Sequence, residues 1–175
     1  MSRLLAGFLL SLAGITMAAC VDLGGTPGFI SSDSQLFDLV TRIQPFSGYI
    51  LFPRVDSVTT GTLNGSNAHQ PAVRVSMNAT AYSALRNGQL PNGETFPDGS
   101  VIFKEIRVPG RTVLYAVMFK DKSNPLNGAG WLWAEFEPDG TTTLSISGKG
   151  SACTGCHGRE LGPGHDLVRT FERQH

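Results

Sequence analysis

Apolar and polar positions alternate along several stretches of this chain. Val73, Val75 and Met77 alternate with Arg74 and Ser76, the two-residue period of a strand buried on one face. Strand-like runs also cover residues 49–52, 100–107, 113–120, 131–136 and 142–146. Turn residues separate them: Pro97-Asp98-Gly99 precedes residue 100, and Pro138-Asp139-Gly140 precedes residue 142. Pro109-Gly110 between two runs predicts a hairpin. Helical spacing shows instead at Leu36, Phe37, Leu39, Val40 and Ile43, opened by Ser32 and Gln35 at capping-box spacing and closed by Pro45. Asn78 is placed to cap a short helix through Arg86, with Gly88 at its stop. A polar loop fills residues 56–70. Together these predict an α+β fold, an antiparallel sheet of about five strands with flanking helices.

Composition narrows the class. The 175 residues suit one ordinary domain, and 14 basic against 14 acidic residues remove the footprint of a general nucleic-acid binder. With 21 Gly, 10 Pro and only 16% charged residues, the chain is turn-rich rather than coiled-coil or disordered. Residues 1–19 read as an export signal: Arg3 leads an apolar run over residues 4–17, and Ala18-Ala19 forms a small-residue cleavage site. The run is short for a membrane span. Met17-Ala18-Ala19-Cys20 resembles a bacterial lipobox, with Met17 where Leu is usual, so Cys20 is a candidate for lipidation. Residues 20–31, with Gly24, Gly25, Pro27 and Gly28, read as a tether. A lipid there would hold the domain on the periplasmic side of a membrane; an ordinary signal peptide would leave it soluble in the periplasm.

The chemistry concentrates in Cys153-Thr154-Gly155-Cys156-His157. A C-x-x-C-H run reads as covalent c-type haem attachment: each thiol adds to one vinyl group, and the adjacent imidazole becomes the proximal ligand. A structural zinc site needs further ligands at knuckle spacing, and His69, His165 and His175 form no such pair. A thioredoxin-like disulfide expects a βαβ setting, and a disulfide between residues three apart would constrain little backbone. Export favours haem as well, and acylation of Cys20 would leave no thiol over among the three cysteines. The predicted cofactor is one covalent haem c, in a domain spanning residues 32–175.

The far axial position decides between electron transfer and ligand chemistry. Met77 and Met118 lie in predicted strands and read foremost as core, while His69 and His165 lie near loops and read as exposed. An open sixth position is favoured. Lys104 shares a strand face with Ile102 and Ile106, so it must find a partner, lower its pKa or react, unless its stem packs at an edge and its ammonium reaches water.

These features resemble the cytochrome P-460 family, exported haem c proteins that include hydroxylamine oxidases and the gas-binding cytochromes c′-beta. The resemblance runs from about Ser34 to the C-terminus. It rests on Phe96-Pro97-Asp98-Gly99-Ser100-Val101 with Lys104-Glu105, on the Cys153–His157 run, and on Ala72-Val73-Arg74-Val75 followed by Ala81-Tyr82. It implies a homodimer with His157 as proximal ligand and a vacant distal face. It places Lys104 where the oxidase branch has a lysine bonded to the porphyrin edge, and Arg74 near the distal pocket, against a solvent-facing alternative. Three functions follow as expectations. The first is redox chemistry on hydroxylamine or nitric oxide, passing electrons to a partner cytochrome, with no proton acceptor assigned between Glu135 and Glu137. The second is nitric oxide or carbon monoxide binding behind a wall of Phe96, Phe103, Phe119 and Phe136. The third is a tethered electron carrier.

Overall fold

In a computed structural model, the structure describes residues 29–53, 59–60, 69–160 and 164–173. The export signal, Cys20 and nearly all of the tether lie outside the described residues. Seven strands form one antiparallel sheet among the described residues. They are β1 (Ile50–Leu51), β2 (Thr59–Thr60), β3 (Ala72–Met77), β4 (Val101–Val108), β5 (Arg111–Lys120), β6 (Trp131–Phe136) and β7 (Thr142–Leu144). From β3 to β7 the order in space follows the chain, so each partner is a sequence neighbour. β1 and β2 lie end to end along the same edge of β3, with Ile50 opposite Met77 and Thr59 opposite Val73. The α+β expectation holds. The strand not foreseen is β2, a pair of threonines inside the predicted polar loop, too short to show any alternation.

Because side chains alternate, the sheet has two distinct faces. Val101, Phe103, Val117, Phe119, Leu132 and Phe136 form one core with the N-terminal helix α1 (Asp33–Asp38). A helix of six residues is marginal alone, so contacts hold it. Leu36, Leu39 and Val40 are buried, each contributing roughly 1.5–3 kcal/mol. Ser32 caps α1 by accepting the Gln35 N–H. The return bond falls one residue early, since Gln35 Oε1 accepts from the Ser31 N–H at 2.7 Å instead of from Ser32. After Asp38 the helix widens into a π turn, Leu39–Ile43, closed by Gln44 N–H to Leu39 O at 2.7 Å. The wider turn breaks the 3.6-residue period, and Ile43, expected on the apolar face, is 69% exposed.

The opposite face carries Val73, Val75, Met77, Ile102, Ile106, Met118, Trp131 and Trp133. Helix α2 (Ala79–Ser83), capped by the Asn78 side chain on Ala81 N–H, packs there through buried Ala81. It stops short of the Arg86 expected from the sequence. The C-terminal segment closes this second face: Val168 and Phe171 are buried against it. Pro109-Gly110 makes the predicted hairpin, Gly110 taking φ 81 with Val108 paired to Arg111.

Candidate functional site

Between the second sheet face and the C-terminal segment lies a cavity of about 280 Å³. Its sheet wall is set by register. Val75, Lys104, Ala116 and Glu135 form one row across β3–β6, and Ile102, Met118 and Trp133 form the adjacent row. The facing wall includes Cys153, Cys156, His157 and Arg169.

One helical turn, α3 (Thr154–His157), organises that facing wall. Both Cys156 and His157 donate their N–H to the Cys153 carbonyl, at 3.1 and 3.0 Å. Positions i, i+3 and i+4 of a helix share a face, so the two thiols and the imidazole turn to the same cavity. The thiols are not bonded to each other. Burial, then the nearby Glu135 carboxylate, pushes the Cys153 thiol up to about 11, so it stays protonated at neutral pH.

His157 is held in one tautomer. Its Nδ1–H donates to the Leu167 carbonyl at 2.7 Å, and since a carbonyl only accepts, the proton sits on Nδ1 and Nε2 keeps its lone pair. The Trp133 ring meets the imidazole edge-on, 4.9 Å between centroids. Burial, followed by the positive charge of Lys104, lowers the His157 pKa to about 4, so the ring is neutral in mildly acidic and neutral solution. Arg169, itself paired with Glu172, donates to Cys156 Sγ at 3.2 Å.

Trp133 is placed by Gly150. A β-carbon there would lie 2.3 Å from the indole Cδ1, and the residue adopts φ +66. Substituting Gly150→Ala is expected to cost about 3 kcal/mol, from overpacking plus a left-handed backbone. Thermal unfolding should show a midpoint roughly 6–12 °C lower; an unchanged midpoint would mean that Trp133 is free to move.

Lys104 projects into this cavity as its strand face predicts, and it does not stand at a solvent edge. Its Nζ lies 3.1 Å from His69 Nδ1, and His69 Nε2 lies 3.0 Å from Glu135 Oε1. The roles fit an ammonium donating to Nδ1 and an Nε2–H donating to a carboxylate. His69, expected to be exposed, is largely covered and adopts φ 61, a conformation uncommon outside glycine.

Arg74 is not brought to the cavity. It sits opposite Glu105 in the register, on the face away from Lys104, and its guanidinium pairs with the Glu105 carboxylate. The reason is parity: Val73 and Val75 face the cavity side, so Arg74 cannot. Phe103, Phe119 and Phe136 belong to the α1 core, and Phe96, although on the second face, does not line the cavity. Met118 lines it, while Met77 is enclosed in the core and His165, expected to be exposed, is buried beside Phe171. The sequence alone does not choose between Glu135 and Glu137, reads His69 as exposed, and gives no signal for Arg169.

Two thiols three residues apart beside a neutral imidazole whose Nε2 keeps its lone pair, all facing one cavity, form a donor set suited to a haem. No helix among the described residues is long and apolar enough to cross a membrane. Comparison with curated proteins gives no match. The family described as Cytochrome P460 matches residues 56–168, a stretch that contains strands β2 to β7, α3 and the described cavity-lining residues other than Arg169 and Thr170.

Proposed function

The chain belongs to the cytochrome P460 family, which implies a haem cofactor, and on that premise we propose that it performs redox chemistry on small nitrogen compounds, hydroxylamine or nitric oxide. Cys153 and Cys156 would hold one haem covalently and His157 would ligate its iron. When bound, the haem supplies an iron site able to take a nitrogen ligand and accept its electrons.

The observation that carries this reading is the hydrogen-bonded chain Lys104–His69–Glu135 on the cavity wall. Oxidising an N–H compound releases protons as well as electrons, and a site for it needs a group to receive them. Glu135 accepts the His69 proton at Nε2, which leaves His69 Nδ1 as the acceptor facing Lys104. A gas binder needs no such chain, and the phenylalanine wall expected of one is absent from the cavity lining among the described residues. The apolar residues Val75, Ile102 and Met118 limit water at the same wall. For an electron carrier, His69 is committed to Lys104 and Glu135 and Met77 does not line the cavity, which leaves Met118 on the wall as the side chain that reading would need.

Lys104 is the candidate for a bond to the porphyrin edge. Such a bond would replace a C–H of the porphyrin edge and would need a two-electron oxidant such as peroxide; the part these residues supply is deprotonation, because an ammonium is no nucleophile and His69 Nδ1 is placed to take its proton. Proteolysis of the exported protein followed by peptide mass spectrometry tests this. We expect the Lys104 peptide to remain joined to the haem peptide carrying Cys153 and Cys156. An unmodified Lys104 peptide would remove the oxidase reading in favour of gas binding. Export and lipidation at Cys20, supported by the sequence pattern of residues 1–20, would place this chemistry at a membrane surface outside the cytoplasm.

A further inference from the structure

The Leu167 carbonyl that fixes His157 belongs to an unusual turn. His165 O accepts the Val168 N–H at 3.0 Å, and both residues between them are left-handed, Asp166 at φ 54 and Leu167 at φ 69. This is the mirror-image turn that normally selects glycine or asparagine, and a leucine occupies it only at a cost. Such a conformation persists where its surroundings over-determine it.

Three bonds, from β5, β6 and the segment before β4, do so. Lys120 Nζ, at the end of β5, meets Asp166 Oδ1 at 2.8 Å. The Phe96 N–H donates to Asp166 Oδ2 at 2.9 Å, and Trp131 Nε1–H, from the start of β6, donates to the Asp166 carbonyl at 3.0 Å. Lys120 is 2% exposed, with its Nζ 4.6 Å from the Trp131 ring centre. A lysine and an aspartate removed from water are a costly device for stability alone, since a well-packed apolar pair often does as well. What this pair does uniquely is hold a strained turn whose next carbonyl points at the Nδ1–H of His157.

We propose that Asp166, clamped by Lys120, is a positioning residue for the iron ligand: it aims the Leu167 carbonyl at His157 and so fixes the tautomer and donor strength of the imidazole. A hydrogen bond at Nδ1 raises ligand basicity and favours the oxidised metal. The inference rests on the haem reading above, and the test separates the two.

Asp166→Asn alone, and the double variant Asp166→Asn with Lys120→Met, are made in the full-length protein. The double variant removes both charges, so no lone buried charge prevents folding. Two quantities are read: the midpoint potential of the bound haem, and hydrogen exchange at His157 Nδ1 by nitrogen-15 NMR in the reduced, carbon-monoxide-bound protein. We expect exchange on the order of tenfold faster and an upward shift in potential. Folded, haem-bearing variants with unchanged potential and exchange would overturn the clamp and leave a purely structural ion pair. A wild-type protein that carries no haem would instead sink the haem reading, and Nδ1 exchange in that protein would still decide the clamp.

Discussion

Replacing Cys153 and Cys156 together by serine is expected to abolish covalent haem in the exported protein. The thiols sit at i and i+3 of one helical turn, both on the cavity. Neither is engaged in a disulfide. Serine keeps the size and the turn but forms no thioether, so loss of the cofactor would report chemistry rather than misfolding. Haem staining after denaturing electrophoresis should fall to background in the double variant and persist in part with either single change. The second consequence is structural. Val75, Ile102, Met118 and Trp133 line a cavity between the sheet and the C-terminal segment, and without the haem that apolar wall faces water. The double variant should therefore also melt earlier. A double variant that still stains for haem would end the attachment proposal.

What the sequence discloses here follows from period and parity. Alternation in β3 and β4 places Lys104 on the face of Ile102 and Val75, and the structure keeps it there. The same rule, carried one residue further, excludes Arg74 and Phe103 from that face. The α3 turn was legible because C-x-x-C-H is a local pattern. The long-range pairings were not. His69 lies in a loop at positive φ and meets groups 35 and 66 residues away. Asp166 pairs with Lys120 across 46 residues, through a turn whose Leu167 contradicts its own backbone preference. Nothing in a two- or 3.6-residue period reports such contacts, nor the π turn that exposes Ile43. The illegible residues cluster around the site, where local preference yields to the geometry the chemistry requires.

Glu135→Gln should slow hydroxylamine oxidation by roughly 10²- to 10⁴-fold, the usual loss on removing a general base, while covalent haem is retained. Glutamine preserves the acceptor oxygen that His69 Nε2 meets at 3.0 Å, so the ring keeps its place, but a neutral amide does not take up a proton at physiological pH. His69→Gln interrupts the same chain between Lys104 and Glu135 and should cost a similar factor. Because both act on one proton path, the double variant should be little slower than either single one, a non-additivity that independent structural defects would not give. Two controls keep the reading sharp. The absorption spectrum of reduced Glu135→Gln should match wild type, showing an undisturbed iron site, and Glu135→Asp, which restores the carboxylate on a shorter stem, should recover part of the rate. Full oxidation by Glu135→Gln would show that the protons leave by another route and that the Lys104–His69–Glu135 chain only positions the lysine.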